Sequence, residues 1–200
     1  MLEVRNLRIE FEFKGRRSVP VRDVSFSIGH NGRVALVGES GCGKSITALA
    51  IGSLVERAKI SGSITCSGKI AYVFQNPMQS LNPVMRVGRQ IAECISGVRR
   101  AEVGSRVENL LSLVGLPPAA SAQYPCQLSG GQQQRVMIAM ALAQEPDLLI
   151  ADEPTTALDV TTQKEVLDLI YSIADSRKMA VLLITHNLGL VSKYSAFVNV

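Results

Sequence analysis

Gly38, Gly43, Lys44 and Ser45 stand at the spacing G-x-x-x-x-G-K-[ST], directly after the apolar run Val34-Ala-Leu-Val37. A buried strand that turns through glycines into a helix is the setting in which this pattern binds phosphate. Glycines let successive backbone N–H groups converge on one concavity that side chains would otherwise fill. The helix opening near Lys44 adds unpaired N–H groups and about half a positive charge at its N-terminus. Lys44 has the reach to meet β- and γ-phosphates, and the Ser45 hydroxyl is a ligand suited to Mg2+. A nucleotide is the expected ligand.

A second constellation is Leu148-Leu-Ile-Ala-Asp-Glu-Pro154, an apolar strand that delivers two carboxylates to its end. Asp152 can hold Mg2+ through water and so offset phosphate charge as a γ-phosphoryl leaves. Glu153, one residue further on, can orient an attacking water or take its proton. An aspartate alone would support binding; the adjacent glutamate points to hydrolysis. In Leu128-Ser-Gly-Gly-Gln-Gln-Gln-Arg135, Ser129 is placed to cap a helix whose N-terminus is itself an anion site.

The elements that must position these groups read as strands alternating with helices. Leu7, Ile9, Phe11 and Phe13 alternate with charged residues, and Val24, Phe26 and Ile28 alternate again, with turns at 15–18 and 29–32. His30, in the second turn, reads as a surface residue. A helix is predicted over 45–55, a short hairpin over 60–69 and a strand over 70–74. Pro77 and Pro83 make 75–83 a loop. Apolar residues then recur at helical spacing over 87–98 and 103–114, closed by Gly115 and Pro117-Pro118. These helices form the expected helical subdomain, about 84–143, inserted in the core. A buried helix should run to Ala143, a strand over 148–151, a helix over 160–176, a buried strand over 180–184 ending at Thr185-His186, and a short helix over 188–194. The implied fold is α/β, one domain over 1–200, with a mostly parallel sheet and ligand at its strand ends.

Composition sets the outer limits. The chain has 200 residues, 46% of them hydrophobic and 19% charged, which suits a globular domain with a buried sheet. No stretch approaches the roughly 18 consecutive apolar residues of a membrane helix. The opening Met1-Leu-Glu-Val-Arg lacks a signal-peptide design, so a cytoplasmic location is expected. A net charge of +4 with only isolated pairs at Arg16-Arg17 and Arg99-Arg100 gives no track for nucleic acid, and none is expected as a partner. Cys42, Cys66, Cys94 and Cys126 form no C-x-x-C and read as reduced thiols. Cys42, inside the glycine loop beside Lys44 and a helix N-terminus, stands where thiolates are favoured.

Residues 38–45, Gln75, 128–135, 148–153, Ala157-Leu-Asp159 and His186 follow one another as in an ATP-binding-cassette ATPase, which the chain resembles over nearly its whole length. Leu-Ser-Gly-Gly-Gln is the specific part. The resemblance implies a P-loop NTPase core with a small antiparallel β-subdomain. It implies that Gly38, Glu39, Ser40, Gly41, Cys42, Gly43, Lys44, Ser45 and Ile46 surround the phosphates of ATP. Ser45, Gln75 and Asp152 would surround Mg2+. Glu153 would be the general base, with Lys44, Gln75 and His186 completing the catalytic set. Ser129, Gly130, Gly131 and Gln132 would face the γ-phosphate bound by a second subunit, and Asp159 would lie in the loop that crosses the dimer. ATP would then hold a head-to-tail dimer together and hydrolysis would release it.

The words Val73-Phe-Gln-Asn-Pro-Met-Gln-Ser-Leu-Asn-Pro83, Tyr124-Pro-Cys-Gln-Leu-Ser-Gly-Gly and Ala157-Leu-Asp-Val-Thr-Thr-Gln163 resemble the peptide/nickel branch of bacterial importers. There the implied role is an ATPase subunit on the cytoplasmic face of the membrane, docked on permease subunits and served indirectly by a solute-binding protein. The loop 75–83 and the helices after it would dock. The cargo, and whether the dimer is homo- or heteromeric, stay open. Three departures stand out. Ser18 occupies the expected place of an adenine-stacking aromatic, leaving Phe13, Val19 or Val21 to pack the base. The segment between 45 and 75 is short. The chain also reads as short at its C-terminal end. Two rivals remain: a non-transport cassette ATPase working on DNA or ribosomes, whose usual insertions are missing here, and a truncated nucleotide-binding remnant.

Overall fold

The computed structural model describes residues 1–39, 41–156, 158–187, 189, 191, 194–195 and 197–199, the last three by backbone alone. Strands β1 (Leu2–Phe13) and β2 (Arg16–Ile28) pair antiparallel. Their turn is tighter than the expected 15–18, because Lys14 and Gly15 both take positive φ and β2 begins at Arg16. Strand β3 (Arg33–Val37) runs into α1 (Lys44–Ile51), which stops short of the predicted 55 at Gly52.

The hairpin expected over 60–69 is instead one strand, β4 (Ala58–Cys66), paired antiparallel with β1 from Phe11↔Ala58 to Leu2↔Cys66. Its Ser and Gly residues line an exposed edge rather than a turn. Strand β5 (Ile70–Val73) follows, and the loop 75–83 contains one helical turn, α2 (Pro77–Ser80). Pro77 is tolerated there as the first helical residue, whose N–H has no helical partner anyway, and the Asn76 side chain accepts from Met78 N as its cap. Helices α3 (Val87–Cys94) and α4 (Val103–Leu113) are each somewhat shorter than their apolar patterns. After them come α5 (Gly130–Ala143), β6 (Leu148–Asp152), α6 (Val160–Arg177), β7 (Ala180–Thr185) and β8 (Phe197–Asn199). The short helix expected over 188–194 falls partly outside the described residues. β8 was not anticipated.

Two sheets result. The antiparallel one has the order β2-β1-β4 and the parallel one β5-β6-β7-β3-β8. Apart from Arg33, Asp152 and Thr185 at their ends, strands β3, β6 and β7 are apolar because both faces of the parallel sheet are covered. On one face Ala35, Val37, Leu149, Ala151, Val181 and Leu183 join the core of α3, α4, α5 and α6. On the other, Val34, Leu36, Leu148, Ile150, Leu182 and Ile184 join α1 and the antiparallel sheet. Ile150 is fully buried; truncating it to alanine would cost about 2–5 kcal/mol.

Register does the positioning. Val37 pairs with Thr185, Asp152 with Ile184, and Val73 with Ala151. The carboxyl ends of four neighbouring strands therefore lie together; Gly38, Glu153 and His186 follow directly on three of them, and Gln75 lies two residues past the end of β5. Among the described residues, no helix is long and apolar enough to cross a membrane.

Candidate functional site

The loop 38–43 leaves β3 and enters α1 through Gly43, whose φ of 100° is a left-handed value that a side chain would strain. A Cβ there would also lie 2.6 Å from the Pro20 carbonyl oxygen, so the residue must be glycine. Gly38 and Glu39 present their carbonyls to Lys44, whose Nζ donates to them at 2.8 and 2.7 Å. Gly41 and Cys42 complete the turn with exposed side-chain positions, and Ile46 follows Ser45 in the first turn of α1. Ser40 lies outside the described residues. Thr47 donates its hydroxyl to the Gly43 carbonyl, 2.9 Å away, tying the helix start to the loop.

Ser45 Oγ donates to Asp152 Oδ1 at 3.0 Å, and the Tyr72 hydroxyl donates to Asp152 Oδ2 at 3.1 Å. Asp152 is buried, and burial raises its pKa above the ordinary carboxylate value despite these two hydrogen bonds. Burial likewise pushes the Tyr72 hydroxyl up, with the Asp152 charge adding to it.

Glu153 is held from three directions. Gln75 Nε2 donates to its Oε2 at 3.0 Å, Thr156 Oγ1 donates to the same oxygen at 2.8 Å, and His186 Nδ1 faces Oε1 at 3.2 Å. An ionised carboxylate only accepts, so His186 Nδ1 carries the hydrogen of that contact. The Glu153 backbone takes φ 44° while its N–H donates to the Ile184 carbonyl at 2.9 Å. A non-glycine residue at positive φ stores strain of a kind that gathers at functional sites.

A cavity of about 310 Å³ lies between Gly43–Ile46 on one side and Gln75 and Glu153 on the other, with Pro20 at its edge. A second cavity, of about 430 Å³, adjoins it and shares Pro20, Gly43 and Lys44; Val21, Val24 and Cys42 line it too. Of the residues considered for packing a base, Phe13 is 70% exposed at the tip of the β1–β2 hairpin, while Val21 lies in the second cavity's wall.

Ser129, Gly130, Gly131 and Gln132 form the start of α5 rather than part of this cavity. Ser129 Oγ accepts from Gln132 N, and Gln132 Oε1 accepts from Ser129 N at 2.9 Å, a reciprocal cap. Asp159 caps α6, accepting from Thr161 N and Thr162 N; the Thr162 hydrogen bonds hold its carboxyl below the usual range. Thr156, Tyr72, Thr47 and Pro20 were not picked out from sequence. Thr156 lies in a loop, Tyr72 in β5, Thr47 in α1 and Pro20 in β2, and only the fold shows what each touches. The four cysteines are free thiols, Cys42 exposed and 3.7 Å from Lys44 Nζ. Among the described residues no cluster of three or more His, Cys, Asp or Glu is arranged as a metal centre.

A profile of the ABC transporter family matches residues 21–156. A Brucella abortus (strain 2308) protein, whose name marks it provisionally as a peptide import ATP-binding protein, is 42% identical over 219 residues covering 98% of this chain. The glutathione import ATP-binding protein GsiA of Pectobacterium atrosepticum is 45% identical over 223 residues covering 96% of this chain. The chain spans 66% of the length of the first relative and 36% of the second. The fold is similar to a dimeric post-hydrolysis structure of an ATP-binding cassette bound to ADP and Pi. That match has a TM-score of 0.82 and 26% identity, and covers 95% of this chain and 90% of that one.

Proposed function

The chain belongs to the ABC transporter family, and on that premise we propose that it is the ATP-binding and ATP-hydrolysing subunit of an importer. The proposed cargo is a peptide, the class named by its relatives, with nickel-type solutes as the alternative. One observation carries the reading. Lys44, Ser45, Gln75 and Glu153 line a single cavity at the strand ends, with Asp152 hydrogen-bonded to Ser45 and with Thr156 and His186 against the Glu153 carboxylate.

Each group has a task in phosphoryl chemistry. The N–H groups of 41–46 and Lys44 bind the β- and γ-phosphates, Lys44 giving up the Gly38 and Glu39 carbonyls to do so. The residues fit Mg2+: Ser45 Oγ and Asp152 Oδ1 are hard oxygen donors already 3.0 Å apart, and Gln75, whose side chain carries an amide oxygen, lines the cavity with Ser45. Bound there, Mg2+ would neutralise charge on the phosphate oxygens. Glu153 takes the proton of the attacking water on Oε1, the oxygen that Gln75 and Thr156 leave open. His186 orients that carboxylate through Nδ1. The base of ATP rests beside Pro20, in the adjoining cavity.

The start of α5, 129–132, serves the nucleotide of a second subunit, so ATP closes a head-to-tail dimer and hydrolysis opens it. The dimer docks on permease subunits through the exposed apolar side chains Phe74, Met78 and Val84 and through the helices of 84–143. That places the protein at the cytoplasmic face of the membrane, with a solute-binding protein as indirect partner. The test is phosphate release from Mg·ATP by the full chain. Glu153→Gln should keep ATP binding, abolish turnover and prolong the ATP-bound dimer. Normal turnover by Glu153→Gln would remove Glu153 as the base, and no nucleotide binding by the unsubstituted chain would overturn the reading.

A further inference from the structure

The loops that precede α5 and α6 are built by one local design used twice. In Pro125-Cys-Gln-Leu-Ser-Gly-Gly-Gln-Gln133 and Thr155-Thr-Ala-Leu-Asp-Val-Thr-Thr-Gln163 a leucine precedes the cap residue and a glutamine stands four residues after it. Gln133 Nε2 donates to the carbonyls of Pro125, at 2.8 Å, and Leu128, at 3.2 Å. Gln163 Nε2 donates to the carbonyls of Thr155, at 3.0 Å, and Leu158, at 3.1 Å. In both, the carbonyl four residues before the cap also accepts from the leucine N–H at 3.1 Å. One side-chain amide thus ties each helix to both ends of the turn that feeds it.

The two units are also in contact. A Cβ added to Gly131 would lie 2.7 Å from Thr162 Cγ2, and one on Gly130 would touch Leu158 Cδ2 at 3.5 Å. The first turns of α5 and α6 therefore pack directly against each other. The α6 unit reaches the reacting carboxylate as well: Thr155 is followed by Thr156, which donates to Glu153. Gln133 is buried with its Oε1 lacking a partner among the described residues. A methionine would fill that volume and leave no unpartnered side-chain oxygen, so packing does not account for the amide. Its two N–H donors do.

We infer that Gln133 and Gln163 are positioning residues. Gln163 sets the place of Thr156, and through it Glu153, while Gln133 sets the aim of 129–132. This rests on the ATPase reading above. The two glutamines act on different steps: Gln163 on turnover within its own chain, Gln133 on closure against a second subunit.

The experiment uses the full chain carrying Gln163→Met, Gln163→Glu or Gln133→Met. Gln163→Met should lower kcat about tenfold, the factor that one good hydrogen bond carries, with KM for ATP unchanged. Gln163→Glu should be worse at neutral pH, where its carboxylate opposes two carbonyls, and should recover as the pH falls. Gln133→Met, combined with Glu153→Gln, should weaken ATP-driven dimerisation about tenfold while the monomer binds ATP as before. Amide exchange, which needs no nucleotide, should accelerate at 128–132 in Gln133→Met and at 158–162 in Gln163→Met. Unchanged exchange and kinetics, or ATP affinity and melting temperature falling together, would overturn the proposal. If the unsubstituted chain does not turn over ATP, the ATPase reading fails while the exchange arm still decides the role of the two amides.

Discussion

Ser45 and Asp152 are separated by 107 positions, and the serine hydroxyl donates to Asp152 Oδ1 at 3.0 Å. One residue opens α1, the other closes β6, and they meet because β6 and β3 both flank β7 in the parallel sheet. The pair sets a buried carboxylate next to a helix N-terminus, where its charge is useful to a bound cation and costly without one.

That cost has a pH signature. Burial raises the folded-state pKa of Asp152 above its unfolded value. Between those two values the folded chain binds the extra proton, so this group's contribution to stability falls as the pH rises through the window and stays low above it. Asp152→Asn keeps the shape without the charge. Thermal melts without nucleotide should show this variant at or above the unsubstituted chain at neutral pH, with the gap narrowing on acidification. It should also lose Mg2+-dependent nucleotide binding. A variant much less stable at neutral pH would contradict the assignment.

Lys44 donates to two loop carbonyls, at 2.8 and 2.7 Å. Lys44→Ala removes both donors and the positive charge. Nucleotide affinity measured by titration should fall at least about tenfold, since hydrogen bonds to charged groups are worth roughly 1.5–3 kcal/mol. Unchanged affinity would remove the loop as the phosphate site.

Cys42 is exposed and lines the cavity shared with Gly43 and Lys44. N-ethylmaleimide should label it ahead of Cys66 and Cys94, which are partly buried and whose thiols burial pushes up. Labelling should block ATP turnover, and prior addition of ATP should slow it. Equal labelling with and without ATP, read by mass spectrometry, would place Cys42 outside the site.

Gly131 lies against Thr162 where α5 meets α6. Gly131→Ala would place its Cβ 2.7 Å from Thr162 Cγ2, an overpacking expected to cost about 1–3 kcal/mol. Thr162→Ser removes Cγ2 but keeps the hydroxyl that donates to Asp159 Oδ2 at 2.7 Å. Urea denaturation of both singles and the double should show Thr162→Ser recovering most of the Gly131→Ala loss. Strict additivity would show that the two residues do not meet.

Local patterns carried much of this protein. The apolar run into Gly38, Gly43, Lys44 and Ser45 is a complete strand–loop–helix within a dozen residues, and Ser129 announces its helix because a cap acts on N–H groups two or three residues away, whereas the cap Asp159 gives α6 was visible only in the structure. The carboxylates at 152–153 were legible for the same reason: a buried strand must end where charge begins. Other features were decided by partners far along the chain. Residues 58–66 became one strand because β1 offered an edge along their whole length. β8 has three residues, too few for a periodic signal, and exists by pairing with β3. Thr156 and Tyr72 gained their roles only when β5, β6, β7 and β3 lay side by side. That order could not be read from the strands themselves, because a sheet buried on both faces asks the same apolar residues of every strand. Residue types and spacing determined which groups could handle phosphate; sheet order and register decided which of them meet around Glu153.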